Sequence, residues 1–247
     1  MKVNSIKPAV REPQVKIIES NSIEDVLKHV TDDSLVVFDL DDTLVVADNE
    51  SGVGTSRWFE ETVHRDCKEN GVSIEEAIER FMPSWFAIHN RIGLRPVEKK
   101  TLQVITDLQE RGIRIMGLTV RGIPMAKRTE VQLREAGISI SHNTIYKESC
   151  DIIVNDKKYG HFHAGVVFLE EGARKGEVLF AFLDKIGYSS SHILFVDDHE
   201  RHVNSVADLA RQKGVSLVAI LYGAEDYRKK QFNPALAERD WQELFGK

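Results

Sequence analysis

Asp39 and Asp41 stand two residues apart at the end of an apolar run, Leu35-Val-Val-Phe38. In an extended chain alternate side chains share a face, so the two carboxylates point the same way and repel unless a cation lies between them. Mg²⁺ suits such a pair, being a hard ion that prefers carboxylate, carbonyl and water oxygens. On this stretch alone an acidic turn after a core strand is the plain alternative. Three more polar points follow in chain order: Thr119 after Ile113–Leu118, Lys175 at the start of a helical pattern, and Asp197-Asp198 after His192–Val196. Singly these read as a strand-end hydroxyl, a solvated lysine and an acidic turn. Their shared order is what makes them specific.

The elements that must carry these residues follow from the hydrophobic pattern. Short apolar runs at 35–38, 113–118, 192–196 and 215–221 are what strands buried on both sheet faces look like. Helical periodicity separates them, at 98–110, 124–136, 177–186 and 203–213, so the spacing predicts βαβ units and a parallel sheet. Ligand sites in such sheets lie at the carboxyl ends of the strands, where the acids, the threonine and the lysine fall. A short edge strand is expected at 15–19 and a helix from Ser22 to Val30. Residues 1–14, with Pro8 and Pro13 among charges, read as a loose arm. After Val45, two glycines mark a loop, then two helices run from Trp58 to about His89, broken at Asn70-Gly71. Asp151–Phe162 reads as a hairpin about the polar turn Asn155–Lys158, Val166–Leu169 as a strand, and Pro234–Phe245 as a C-terminal helix.

Asp39-Leu-Asp41-Asp42-Thr43 resembles motif I (DxDxT) of the haloacid dehalogenase-like superfamily; Gly117-Leu-Thr119 resembles its motif II, Lys175 its motif III and Val196-Asp197-Asp198 its motif IV. The likeness spans about residues 35–221. Gly117-Leu-Thr119-Val-Arg121 and Lys175-Gly-Glu-Val-Leu179 further resemble an uncharacterised bacterial branch, which leaves the substrate open. The resemblance implies a Rossmann-like three-layer α/β/α sandwich with a parallel central sheet and a small helical C1-type cap. The core would be residues 15–45 and 95–247, and the cap the insertion 46–94. It also implies an Mg²⁺-dependent phosphatase acting on a phosphomonoester. Asp39 would be the nucleophile that forms an aspartyl-phosphate, and Asp41 the general acid and base. Thr119 would donate to a phosphoryl oxygen and Lys175 would set a point charge against nucleophile and phosphate. Mg²⁺ would be held by Asp39, the main-chain carbonyl of Asp41, and one or both of Asp197 and Asp198.

Val120 and Arg121 follow Thr119 and are further candidates for the phosphate or substrate; for Arg121 a structural salt bridge explains the residue equally well. Arg57, Trp58, Phe59, Trp85 and Phe86 are candidates to line the substrate, although ordinary amphipathic packing accounts for most of the aromatics. The hairpin lies where another cap type can occur, but is short for one. Zn²⁺ at His161-x-His163 lacks further ligands, and His199 and His202 are explained by helix-start polarity beside motif IV.

Composition sets the outer limits. The 247 residues are 42% hydrophobic and 29% charged, ordinary for a globular protein, and the net charge of −6 gives no electrostatic reason to expect nucleic acid or an anionic membrane as partner. Short basic clusters at Lys99-Lys100, Lys157-Lys158 and Arg228-Lys229-Lys230 read as solvated surface. Cys67 and Cys150 are far apart, the N-terminus lacks the apolar core of a signal peptide, and no stretch has membrane-spanning length. A cytoplasmic enzyme on a small phosphorylated metabolite is the expectation. A phosphotransferase of the same fold and a non-catalytic binding or regulatory protein are the alternatives. A receiver-type signalling module is disfavoured, since there the acidic pair precedes the phosphoacceptor. Oligomeric state is open.

Overall fold

The computed structural model describes residues 13–170 and 172–246; most of the expected 1–14 arm lies outside them. The chain opens with β1 (Val15–Ser20), a short helix α1 (Val26–His29) and β2 (Ser34–Phe38). Every residue of β2 is buried, and alternate ones serve different cores. Val36 and Phe38 face one apolar cluster, Leu35 and Val37 the other. Helices therefore cover the sheet on both sides.

Beyond β2 the ribbon β3 (Val45–Ala47) and β4 (Leu94–Pro96) pairs antiparallel and brackets an insertion of two helices, α2 (Ser56–Asn70) and α3 (Ile74–His89). Gly71 ends α2 at φ +66°, the left-handed position a C-terminal cap favours. Ser73 and Glu76 then open α3 with a reciprocal capping box. The core resumes with α4 (Thr101–Glu110), β5 (Arg114–Thr119), α5 (Ala126–Glu135), β6 (Cys150–Val154), β7 (Lys157–His163) and β8 (Val166–Leu169). It closes with α6 (Lys175–Lys185), β9 (His192–Asp197), α7 (Glu200–Lys213), β10 (Ser216–Tyr222), α8 (Asp226–Lys230) and α9 (Pro234–Phe245).

Eight strands form one sheet in the order β1-β10-β9-β2-β5-β8-β7-β6. Strands β1 to β8 in that order are parallel. The fold is therefore α/β with a mostly parallel sheet between helical layers. The hairpin keeps to the sequence expectation and one segment departs from it. The hairpin β6–β7 is no cap element: it extends the sheet past β8 with two antiparallel strands, turning at Asn155 and Asp156, both at positive φ. The segment 45–56 is not all loop, since Val45–Ala47 pairs with the distant Leu94–Pro96.

One face of the sheet packs on α1, α4 and α5 through Val26, Val104, Leu108 and Leu133. The other packs on α6 and α7 through Leu179, Phe182, Val206 and Ala210. A third cluster sits apart, where Trp58, Trp85 and Ile88 of the insertion meet Ala237 and Trp241 of α9. Thus α9 belongs spatially with α2 and α3.

Candidate active site

Strand β2 delivers Asp39 to the sheet edge while still in the ladder, its amide donating to the Val196 carbonyl at 2.9 Å. The chain then turns sharply. The Leu40 carbonyl accepts from the amides of Thr43, Leu44 and Val45, and Asp42 takes φ +60°. That turn aims Asp39, Asp41 and Asp42 at the space above β2, between β5 and β9.

Lys175, the first residue of α6, donates to Asp39 Oδ1 and, at 2.6 Å, to Asp197 Oδ2. Its side chain is fully buried. Burial alone would push the ammonium's pKa down, but the two carboxylates outweigh it and hold the lysine above its ordinary value. Asp197 gains most from the contact. Burial favours its neutral form, yet Lys175, then His202 at 3.1 Å, bring it below the carboxylate range. Asp39 remains well above that range, because burial and the charges of Asp197 and Asp198 outweigh its share of Lys175.

Asp41 meets Arg121 in a two-toothed pair, Nε to Oδ2 at 2.7 Å and Nη2 to Oδ1 at 2.6 Å. The guanidinium is 1% exposed and is held from behind by Thr129 (3.1 Å) and Gln132 (2.9 Å). Gln132 in turn donates to the carbonyls of His89 and Ile92 at the end of the insertion. Burial would raise Asp41, but the arginine's charge and hydrogen bonds carry it below its ordinary value.

Asp39, Thr119, Lys175 and Asp197 are buried together at this edge. Thr119 Oγ1 accepts from the Arg121 amide at 3.1 Å. The two further candidates beside Thr119 part ways, Arg121 taking the salt-bridge alternative. Arg121 is folded inward as the clamp on Asp41, and Val120 is 52% exposed with its side chain directed outward. Of the aromatics, Trp58 stacks on Trp85, meets Phe81 edge-on and Trp241 at a tilt, while Phe59 meets Trp85 edge-on and Phe81 at a tilt, with Phe86 packed against the same cluster. They form the insertion's own core. Arg57 pairs with Glu61. His161 and His163 engage separate partners, Asp151 and Glu130, and do not converge on a common ligand position.

The basic cluster Arg228-Lys229-Lys230 is not all solvated surface. Lys229 reaches from α8 into the site and pairs with Asp198 and, at 3.3 Å, with Asp42. Burial, the first influence, would lower its pKa; the two carboxylates raise it. The one sequence signal for this role was position: α8 follows β10, whose carboxyl end lies on the same edge as those of β2 and β9.

The residues fit a divalent cation. Asp39, Asp197 and Asp198 each offer an oxygen within 4.8 Å of the others, a donor set of the hard kind Mg²⁺ takes. The site gathers five carboxylates (Asp39, Asp41, Asp42, Asp197, Asp198) against three cations (Lys175, Arg121, Lys229). With all five ionised, two negative charges would go unpaired, in a setting that disfavours them and raises Asp39 and Asp42.

The family model described as "Protein of unknown function (DUF2608)" matches residues 18–245. A protein of Chlamydia trachomatis named "Putative outer membrane protein" is 23% identical over 94% of this chain and 86% of its own. One of Chlamydia pneumoniae with the same description is also 23% identical, over 92% and 85%. No helix among the described residues is long and apolar enough to cross a membrane. Among solved structures, a haloacid dehalogenase-like hydrolase from Streptococcus pneumoniae overlays with a TM-score of 0.48 at 15% identity, covering 81% of this chain and 90% of its own. A phosphoserine phosphatase in a phospho-aspartyl intermediate analogue overlays at 0.39 and 18% identity, covering 81% and 98%.

Proposed function

The chain belongs to the DUF2608 family, and we propose that it is an Mg²⁺-dependent phosphatase that hydrolyses a small phosphomonoester through an aspartyl-phosphate on Asp39. One observation carries this reading: Asp39, Asp197 and Asp198 each bring an oxygen within 4.8 Å of the others, with Lys175 on the first two and Thr119 on the neighbouring strand end. A lone structural ion pair needs one acid. Here two share one ammonium and a third carboxylate converges on them.

Bound Mg²⁺ would supply charge neutralisation between nucleophile and phosphate, with Asp39, Asp197, Asp198 and the Asp41 carbonyl as its protein ligands. The rest is the work of the chain. A carboxylate oxygen of Asp39 forms a bond to phosphorus as the bond from phosphorus to the ester oxygen breaks. Lys175 holds Asp39 in place and offsets charge on the phosphoryl group, and the Thr119 hydroxyl donates to a phosphoryl oxygen. Water then attacks phosphorus, giving its proton to Asp41, and Asp39 is released as a carboxylate. Arg121 keeps Asp41 ionised, the form this second step requires. The leaving oxygen takes its proton from Asp41 in the first step, which the clamp opposes, so leaving groups that depart readily as anions are served best. The 46–94 insertion acts as the cap that selects the substrate. The compartment we assign is the cytoplasm, where Cys67 and Cys150, both free, stay reduced.

The test is hydrolysis of an aryl phosphate with Mg²⁺, with EDTA, and by Asp39→Asn. Turnover that needs Mg²⁺ and is lost in Asp39→Asn supports the assignment. If the wild-type protein neither turns over aryl phosphates nor binds beryllium fluoride with Mg²⁺, the phosphatase reading fails.

A further inference from the structure

The three cations of the site differ in how far they are committed. Lys175 is enclosed and shared between two acids. Arg121 is enclosed and spends its donors on Asp41, Thr129 and Gln132. The Lys229 side chain is 25% exposed and borders a cleft of about 170 Å³ that also takes in Asp42, Thr55, Arg57, Phe232 and Asn233. This cleft runs between the start of the insertion and α8–α9, and it touches the acidic turn after β2. It reaches the site from outside at Asp42 and Lys229.

The partners of Lys229 are replaceable. Asp198 is one of the three carboxylates that converge as a cation site, so a divalent ion there takes up the charge that now holds the ammonium. Asp42 meets Lys229 at 3.3 Å, but its Oδ2 has no hydrogen bond of good geometry. That contact steers the lysine without saturating it. A lysine suits such an exchange, being a compact charge on a flexible stem with three rotatable donors.

We propose that Lys229 is a substrate-binding residue whose ammonium passes from Asp198 to an oxygen of the phosphoryl group entering through this cleft. The inference rests on the phosphatase reading above. Each charge keeps a partner through the exchange: Asp198 goes to the divalent ion and Lys229 to the phosphate. Lys175 is then not the sole ammonium on the phosphoryl group.

Inorganic phosphate is the probe, with binding measured by calorimetry on the full chain in Mg²⁺, beside Mg²⁺ binding alone. Lys229→Met is expected to weaken phosphate binding by about ten- to a hundredfold, the range for losing one charged hydrogen bond, with Mg²⁺ binding not weakened. Lys229→Arg, which keeps the charge, is expected to recover most of the loss. If Lys229→Met leaves its two acids too poorly balanced to fold, Lys229→Met/Asp42→Asn removes one of them and carries the same expectation. Wild-type protein that binds phosphate, with Lys229→Met binding it equally, overturns the role of Lys229 and leaves the phosphatase reading standing. Loss of Mg²⁺ binding in Lys229→Met overturns it too, because the lysine would then serve to orient Asp198. Wild-type protein that binds no phosphate in Mg²⁺ overturns the role of Lys229, and the phosphatase reading then stands or falls by aryl-phosphate turnover and beryllium fluoride binding.

Discussion

Replacing Arg121 by Met separates the two roles its position allows, clamp on Asp41 or ligand to substrate. The stem is kept and the guanidinium lost, so Asp41 is left ionised without its partner. Breaking a buried pair from one side costs about 3–5 kcal/mol. The Asp41 side chain is 20% exposed, so water relieves part of the loss and the lower end of that range applies to the pair. Gln132 Oε1 and the Thr129 hydroxyl also lose a donor, at about 1 kcal/mol each. The sum is roughly 3–5 kcal/mol, or about 6–20 °C in Tm at roughly 2–4 °C per kcal/mol for a chain of this size. Urea unfolding in EDTA at pH 7 measures it. The pH dependence has a definite sign. The pKa of Asp41 is lowered in the fold, so its stabilisation is present above the unfolded value near 4 and is lost as pH falls through the lower folded value. Arg121→Met should lack that acid-side loss, and Arg121→Met/Asp41→Asn should regain about half of the stability. A loss below about 1 kcal/mol, accompanied by a raised KM, would refute the clamp and make Arg121 a substrate ligand.

Three other outcomes follow from the same geometry. Burial pushes Asp42 up to about 6 from 3.8; a raised acid destabilises once ionised, so metal-free protein should lose roughly 3 kcal/mol between pH 4 and 7 through this group. Asp42→Asn, which tolerates φ +60°, should show a smaller loss over that interval in urea titrations. His89 is fully enclosed, packs at a tilt against Trp85 with ring centroids 4.2 Å apart, and faces the Gly54 backbone without a hydrogen bond of good geometry. Burial first, then Arg121, lowers it to about 3, so its neutral form stabilises above pH 6.5 and the benefit fades as pH falls toward 3; His89→Phe should flatten that fall by roughly 2–3 kcal/mol at pH 4.5. At Gly176 an added Cβ would stand 2.2 Å from the Ser205 carbonyl oxygen. Gly176→Ala should therefore cost about 1–3 kcal/mol in chemical denaturation and lower turnover, since it displaces the adjacent Lys175.

The parallel strands and their order of chemistry were legible because strands buried on both faces spell themselves as unbroken apolar runs, and because the polar residues that end them stand out against those runs. Asp39, Thr119, Lys175 and Asp197 were visible on that account. Arg121 was visible as a residue, but its direction was not: whether an arginine two beyond a strand end turns outward or inward depends on Thr129 and Gln132, a helix away. Lys229 looked like its exposed neighbours Arg228 and Lys230, for a five-residue helix carries too little periodicity to show which of three adjacent bases faces in. The ribbon β3–β4 was hidden for another reason. Its three-residue strands lie about fifty positions apart and gain their identity only from each other. The hairpin could be read locally from its turn, while its attachment to β8 depends on sheet register that no local pattern contains.

The clustering of charge also constrains the order in which the molecule can be made. Asp39, Asp41 and Asp42 leave the ribosome early, whereas Arg121, Lys175 and Lys229 follow after long intervals of chain. Until each cation arrives, closing the sheet over β2 would strand a carboxylate away from water, at a cost of several kcal/mol. A nascent chain that stops short of Lys229 therefore has reason to keep this edge open and hydrated. The neighbouring strand β9, which completes the centre of the sheet beside β2, is itself among the last to appear. Completion of the sheet and neutralisation of its acidic rim thus fall late and close together in synthesis, and truncated products should be recognisable by an unprotected β2.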